Sequence, residues 1–165
     1  MTDVRRASSA DAGAMAELRW EFRAGRQPPT ETHAAFIKRC GAWMRRELTT
    51  ADAWKAWVAV NNGAIVGQVW LHTIAKIPNP IDETERHAYL SNLYVKPSDR
   101  GGTGTRLLDA AIAAARAESV DRIVLWPSGR SVTLYLRHGF SHGGDVMELE
   151  LRTQNLGLRN LKSDV

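Results

Sequence analysis

The segment 93–108 constrains the fold of this chain most, because it joins a predicted strand to a predicted helix through a glycine-rich turn. The glycines of this turn are Gly101, Gly102 and Gly104. Successive backbone N–H groups of such a turn can converge on one anion, and the positive end of the helix dipole adds to the attraction. The segment therefore predicts a phosphate site at a helix N-terminus. A glycine-rich connection without a ligand is the alternative.

Two common phosphate-binding motifs do not match this turn. The run lacks the Gly-Lys-Ser/Thr ending of a nucleoside-triphosphate loop. It also follows an apparent hairpin late in the chain, whereas a dinucleotide-binding fold opens with its glycine-rich turn. Neither motif therefore explains the glycines.

The hydrophobic periodicity predicts the order β-α-α-β-β-β-α-β-α-β. Ser8, Ser9 and Asp11 are candidate N-caps of the first helix. The turn 61–63, Asn-Asn-Gly, predicts a tight hairpin. Strands are predicted at 4–7, 54–60, 65–74, 87–95, 122–126 and 146–151. Helices are predicted from the N-caps to Gly25, over about 32–48, after Gly104, and to about His138.

Two motifs lie about 30 residues apart. The first is Leu-Tyr-Val-Lys-Pro at 93–97, followed by Arg-Gly-Gly-Thr-Gly-Thr at 100–105 and two leucines. The second runs from Ser128 through Leu134-Tyr135 to Gly139-Phe140. Together they resemble the GNAT acetyltransferase superfamily, and the resemblance spans about residues 3–151 and implies an α/β (α+β) fold. This fold has a mixed, mostly antiparallel sheet of six or seven strands flanked by about four helices.

The resemblance implies an N-acetyltransferase that moves an acetyl group from acetyl-CoA to a primary amine of a small molecule or protein. Direct attack in a ternary complex is the implied route. The implied coenzyme-binding residues are Leu93, Tyr94, Val95, Arg100, Gly101, Gly102, Thr103, Gly104, Thr105, Arg106, Ser128, Ser131 and Tyr135. Tyr135 is also the implied catalytic residue, beside the coenzyme sulfur. The strand at 93–95 is implied to separate from its neighbour and bind the pantetheine like an added strand.

Three departures from the family pattern bear on these roles. The loop is one residue short after Pro97, which affects how Arg100 meets the pyrophosphate. Ser128 replaces a commoner asparagine, which puts one amide contact to the pantetheine in doubt. Ser91 and Asn92 stand where many relatives carry a carboxylate, so no general base is offered there.

The general base and the acceptor site stay open at this level. His72, His87, His138 and Glu85 are candidate bases, as is a chain of waters. Trp20 and Trp43 lie on the first two predicted helices, which often wall the acceptor pocket in relatives. Asp82, Glu83 and Glu85 would suit a cationic amine. Each of these residues also fits ordinary packing or a solvated loop.

The composition bears on nucleic-acid partners, membrane spans, the cellular compartment and metal cofactors. The net charge of +4 is spread along the chain with no cluster of Lys and Arg, so no nucleic-acid partner is predicted. No apolar run approaches the roughly 18 residues of a membrane helix, and the first ten residues lack a signal-peptide core. A single cysteine, Cys40, fits a reducing compartment and is expected to be packed, so a cytoplasmic protein is expected. No metal cofactor is predicted from ligand spacing.

The domain prediction is a single GNAT domain over 1–152 followed by a polar tail over 153–165. A homodimer is an open possibility, because relatives often dimerise. The competing function is a domain that binds acetyl-CoA as a sensor or structural ligand. A weaker alternative is a basic RNA-associated domain, which would need clustered basic residues and exposed aromatics.

Overall fold

The computed structural model describes residues 2–25, 28–50, 53–78, 80, 85–142 and 146–147. The chain forms two compact units, 1–128 and 129–165. The strands are β1 (Asp3–Arg6), β2 (Trp54–Asn61), β3 (Ala64–Ala75), β4 (Arg86–Val95) and β5 (Arg122–Val124). The helices are α1 (Ala12–Ala24), α2 (His33–Thr50), α3 (Thr103–Ala117) and α4 (Val132–Arg137).

The described strands form one mixed sheet with the order β1-β2-β3-β4-β5. Neighbouring strands from β1 to β4 are antiparallel, and β5 lies parallel to β4. The prediction of a mixed, mostly antiparallel sheet with about four helices is thus confirmed. The strand number is corrected to five for the described part of the chain. Most of the predicted last strand, 146–151, and the whole predicted tail, 153–165, lie outside the described residues.

The β2–β3 hairpin forms as its turn residues predict. Asn62 and Gly63 both have positive φ, 49° and 78°. Two successive residues with positive φ make a turn whose twist matches that of the flanking strands. The hairpin pairs β2 with β3 from Asn61–Ala64 beside the turn to Trp54–His72 at the far end.

Helices α1 and α2 cover one face of the sheet around a core that contains Met15, Met44 and Trp70. Gln68 is buried but satisfied, because its Nε2 donates to the carbonyl oxygen of Met15 at 3.0 Å and its Oε1 accepts from Trp70 Nε1 at 3.1 Å. A buried amide with both ends paired costs little and fixes the helix against the strand. Cys40 packs against this core as predicted, and burial raises the pKa of its thiol.

Helix α3 covers the other face with a stripe of fully buried side chains that includes Leu107, Leu108 and Ala111. An added Cβ at Gly67 would lie 3.1 Å from Leu107 Cδ1, so glycine lets helix and strand approach closely. The two faces of the sheet are therefore covered by different helices. Among the described residues, no helix is both long enough and apolar enough to cross a membrane.

Asp11 stands at the predicted N-cap of α1, but its side chain makes no cap hydrogen bond to that helix and instead holds the helix entry through Arg5 and Ser8. Its carboxylate accepts two hydrogen bonds from Arg5 at 2.8 Å each, and one from the Ser8 backbone N–H at 2.8 Å. The Arg5 guanidinium and these Ser8 contacts lower the pKa of Asp11 to about 2. The unfolded chain therefore binds more protons than the folded chain between about pH 4 and pH 2, so this contribution to stability falls as the pH falls through that range.

We expect Asp11→Asn to lower the free energy of unfolding at pH 7 by about 1–2 kcal/mol, because asparagine can still accept a hydrogen bond from the Ser8 N–H but does not pair as an anion with Arg5. The difference from the parent protein should shrink as the pH falls below about 4. Urea denaturation at pH 7 and near pH 3 measures both values. A difference that stays constant across this range would contradict the ion-pair interpretation.

Candidate functional site

The predicted phosphate turn forms as a strand, a tight turn and a helix. β4 ends at Val95, Pro97–Asp99 make one turn of 3-10 helix, and α3 begins at Thr103. Gly102 is the N-cap of α3 with φ of 88°, a conformation that favours glycine. No heavy atom lies within 4 Å of a Cβ built on Gly101 or Gly102, so the surface there is open. An anion can therefore approach the backbone at the mouth of α3.

Two contacts hold this turn. The Thr103 N–H donates to the carbonyl oxygen of Arg100 at 3.2 Å. Asp99 accepts a hydrogen bond from Asn61 Nδ2 at 2.7 Å, which ties the turn to the β2–β3 hairpin. Hydrogen bonds from Ser98 and Asn61 lower the pKa of Asp99, so its charge is retained. The hairpin therefore holds the turn in this conformation without a bound ligand.

The arginines beside the turn are exposed. The Nε of Arg100 lies 3.5 Å from the carbonyl oxygen of Val95, a long contact that leaves the guanidinium at the surface. Arg106, in the first turn of α3, donates to the carbonyl oxygen of Thr2. Both can add charge-assisted hydrogen bonds to a phosphate after rotation about their side-chain bonds.

β4 separates from β5 soon after the two strands meet. Their ladder pairs His87 with Arg122, Ala88 with Ile123 and Tyr89 with Val124. β4 continues to Val95, and no described strand within 1–128 pairs with 90–95 on that side. The backbone edge at Leu93, Tyr94 and Val95 can therefore accept an extended ligand, in the manner of an added strand. β5 is also shorter than the predicted strand 122–126.

A β-bulge interrupts β4 within this separated part. Gln68 pairs with Tyr94 and Trp70 pairs with Ser91, so Asn92 and Leu93 together oppose Val69. Asn92 has φ of 55°, and its Oδ1 accepts a hydrogen bond from Arg19 Nη1 at 3.0 Å. The Arg19–Asn92 contact joins α1 to the bulge. The sequence reasoning missed it, although an asparagine that interrupts a strand is a recognisable signal for positive φ.

Aromatic and acidic groups of α1 lie beside the same part of β4. The rings of Phe22 and Tyr94 are 5.3 Å apart, and the Tyr94 hydroxyl donates to Glu21 Oε2 at 3.4 Å. Burial, followed by the nearby Glu21 charge, raises the pKa of Tyr94. Glu21 also forms an ion pair with Lys96 at 3.3 Å.

Apart from Ser128, the second motif lies in the unit 129–165. Tyr135 is 8% exposed on α4, and its ring centroid lies 5.5 Å from that of Phe140. Burial raises the pKa of Tyr135 to about 12. Gly139, with φ of 83°, ends the helix and allows the Phe140 N–H to donate to the Tyr135 carbonyl oxygen. The Tyr135 N–H donates to the Ser131 carbonyl oxygen at 3.2 Å.

The predicted coenzyme-binding residues thus fall into two sets. Leu93 to Arg106 form one continuous strand–turn–helix within 1–128, and Ser128 ends that unit, half-buried. Ser131, the N-cap of α4, and Tyr135, within α4, belong to the other unit. The two sets therefore belong to different units.

The four candidate bases have different surroundings. Glu85 pairs with Lys76, which lowers the pKa of that carboxyl, and His87 Nε2 lies 3.4 Å from the same carboxylate. His138 Nδ1 contacts the Leu134 carbonyl oxygen at 2.7 Å. His72 stacks on Trp54, with ring centroids 4.5 Å apart. Asp82 and Glu83 lie outside the described residues.

Trp20 and Trp43 belong to different aromatic groups. Trp20 packs against His33 and Phe36 and lines a cavity between the end of α1 and the start of α2. Trp43 packs against Trp54 and Trp70 at the edge of the core. Trp20 thus lines a cavity, whereas Trp43 packs against the core. Among the described residues, no group of three His, Cys, Asp or Glu side chains could hold a metal ion.

Comparisons with known proteins agree with this geometry. The profile of the Acetyltransferase (GNAT) family matches residues 14–140. A predicted acetyltransferase from Clostridium acetobutylicum, solved with acetyl-CoA, is 24% identical with a TM-score of 0.74, over 92% of this chain and 97% of that one. A GCN5-related N-acetyltransferase from Ralstonia eutropha JMP134 is 23% identical with a TM-score of 0.72, over 91% and 99%. Glucosamine-6-phosphate N-acetyltransferase from Arabidopsis thaliana is 14% identical with a TM-score of 0.68, over 92% and 99%.

A comparison with curated proteins found no match. The structural neighbours share the fold at identities below 25%, and the family profile covers more than half of the chain. The glycine turn at the mouth of α3 and the Gly139–Phe140 exit of α4 both lie within the matched residues. This chain therefore belongs to the GNAT acetyltransferase family.

Proposed function

We propose that the chain is an acetyl-CoA-dependent N-acetyltransferase that acetylates a primary amine by direct attack in a ternary complex. The observation that carries the proposal is the open glycine turn at the mouth of α3, at the end of a strand that has left its neighbour. We assign the activity to a domain over 1–152 in a reducing cytoplasm, where the single cysteine, Cys40, stays a thiol.

The coenzyme site is built from backbone groups. The N–H groups of Gly102, Gly104 and Thr105 surround the diphosphate at the mouth of α3, while the Thr103 N–H holds the turn through the Arg100 carbonyl oxygen. Arg100 and Arg106 add charge. The free edge of β4 at 93–95 binds the pantetheine, and Ser128 and Ser131 bind its amide groups. The absence of neighbouring atoms around Gly101 and Gly102 supports this fit, because a side chain there would occupy the space of the phosphate.

Acetyl-CoA supplies the reactive thioester. The amine nitrogen bonds to the carbonyl carbon, the carbon–sulfur bond breaks, and the sulfur leaves with the electron pair. The amine releases one proton, and the leaving sulfur takes up one. A backbone N–H at the β4 bulge donates to the carbonyl oxygen as negative charge develops on it. Tyr135 donates a hydrogen bond from its phenolic hydroxyl to the leaving sulfur and keeps its own proton.

Arg19 acts in this scheme as a positioning residue. The Asn92 backbone is held at φ of 55° while its side chain accepts a hydrogen bond from Arg19 at 3.0 Å. The Arg19 guanidinium also lies 5.9 Å from the centroid of the Phe22 ring. The hydrogen bond thus keeps the bulge, and the N–H groups next to it, in one orientation.

We expect Arg19→Leu and Asn92→Gly each to lower kcat roughly fivefold, the effect of losing about 1 kcal/mol of positioning. Glycine tolerates the positive φ but offers no oxygen to Arg19, so Asn92→Gly tests the contact and not the strain. The Kd of acetyl-CoA should stay within about twofold, and the double variant should be no slower than either single variant. Independent, multiplying losses in the double variant would contradict a shared role.

The alternative is a domain that binds acetyl-CoA without turning it over efficiently. Ser91 and Asn92 favour it mildly, because neither offers a carboxylate near the reacting amine. Titration calorimetry with acetyl-CoA tests the site, and release of the coenzyme thiol with a panel of amines, amino acids and peptides tests turnover. Binding with amine-dependent thiol release supports the enzyme, and binding without it supports the sensor. No heat with folded protein would reject both.

A further inference from the structure

A row of aromatic side chains crosses the sheet near the point where β4 and β5 separate. Ring centroids are 4.5 Å apart for Trp54 and His72, 6.4 Å for Trp54 and Tyr89, and 5.2 Å for Tyr89 and Trp126. Strand pairing aligns the first three, because Trp54 pairs with His72 and His72 pairs with Tyr89. We call these four residues the aromatic row.

The aromatic row lies on the sheet face opposite to α3. Trp54 contacts Trp70 at 6.0 Å, and Trp70 belongs to the core that α1 and α2 cover. Gly67, three residues before Trp70, faces Leu107 of α3 instead. Alternation along β3 places His72 with Trp70 and away from α3. A molecule on the row would therefore approach the gap between β4 and β5 from the sheet face opposite to α3.

The row is exposed at its outer end. Trp126 is 64% exposed, and Trp54, His72 and Tyr89 are half-buried. Tyr89 forms the last pair of the β4–β5 ladder, with Val124, two residues before Trp126. Tyr89 and Trp126 thus flank the point where the two strands separate. Under the proposed function, the thioester of acetyl-CoA lies in the gap between β4 and β5. An amine bound on the aromatic row would therefore lie next to the thioester.

The chemistry of the row favours one class of amine. Flat aromatic side chains stack with a flat apolar body and attract a single ammonium group through their ring faces. The chain has a net charge of +4, which disfavours polycations, and the nearby Glu85 is already paired with Lys76. We propose that the aromatic row holds the acceptor, and that the acceptor is a primary monoamine on an aromatic body. This inference rests on the proposed function.

The test uses the full chain with saturating acetyl-CoA and compares 2-phenylethylamine and tryptamine with spermidine and lysine. We expect kcat/KM at least tenfold higher for the aromatic amines. Trp126→Ala should raise KM for 2-phenylethylamine at least tenfold and leave the Kd of acetyl-CoA within about twofold, and Trp126→Phe should restore most of the loss. Ile77→Ala is the matched control, because Ile77 is 89% exposed and lies outside the row.

Two results would overturn the inference and leave the proposed function intact. One is efficient acetylation of spermidine or lysine but not of aromatic amines. The other is a larger rise in KM from Trp20→Ala than from Trp126→Ala, which would place the acceptor in the cavity between α1 and α2. Failure to bind acetyl-CoA at all would instead reject the proposed function, so the two failures are distinguishable.

Discussion

Replacing Gly102 with valine should weaken acetyl-CoA binding at least tenfold, equivalent to about 1.4 kcal/mol of binding free energy. Gly102 has φ of 88° at the N-cap of α3, with no heavy atom within 4 Å of an added Cβ. A side chain there would project into the space that the diphosphate needs, and it would also disfavour the positive φ that aims the N–H groups at the ligand. Titration calorimetry measures the loss.

Backbone strain alone would also lower stability, by about 1–2 kcal/mol for a branched residue in this conformation. Gly63→Val is the matched control, because Gly63 has φ of 78° and open space around its Cβ, but lies in the β2–β3 turn. Both variants should lose similar thermal stability, and only Gly102→Val should lose coenzyme affinity. Equal affinity losses would attribute the effect to strain and remove the support for a phosphate site.

Tyr135→Phe should lower kcat at least tenfold and leave the Kd of acetyl-CoA nearly unchanged. The substitution removes only the hydroxyl and keeps the ring that packs 5.5 Å from Phe140. Under the proposed function, the lost hydroxyl donates a hydrogen bond to sulfur as charge develops on it, so the cost falls on the transition state and not on coenzyme binding. Steady-state kinetics and calorimetry on the same preparation separate the two effects.

The raised pKa of Tyr135 adds a prediction about the pH dependence of turnover. Burial raises it to about 12, so the phenol stays protonated at every pH below about 11 and Tyr135 should produce no inflection in the pH–rate profile there. A thiol has a reference pKa of about 8.5, so complete proton transfer from this phenol is uphill and the hydrogen bond provides most of the effect. Leu136→Ala, half-exposed on the same helix, is the control. Unaltered turnover in Tyr135→Phe would refute the assignment.

Local sequence patterns predicted the elements whose conformation depends on their own residues. The predicted tight turn forms with positive φ angles at Asn62 and Gly63, and Asp11 stands at the N-cap position of α1. The predicted end of β5 was wrong. The apolar alternation continues to Trp126, but the hydrogen-bonded ladder with β4 ends at Val124. A strand needs a hydrogen-bonded neighbour, and the position of a neighbour is not contained in the residues of the strand itself.

The sequence by itself determined that a glycine turn opens α3, that Tyr135 lies on a short helix ending near His138, and that both motifs belong to one family. These features follow from residue types at fixed local spacing. Only the tertiary structure decided that Arg19 reaches Asn92, 73 residues away, and that the aromatic row extends from Trp54 to Trp126. Such contacts depend on strand register and on which sheet face a helix covers, and both are set by the packing of the whole core.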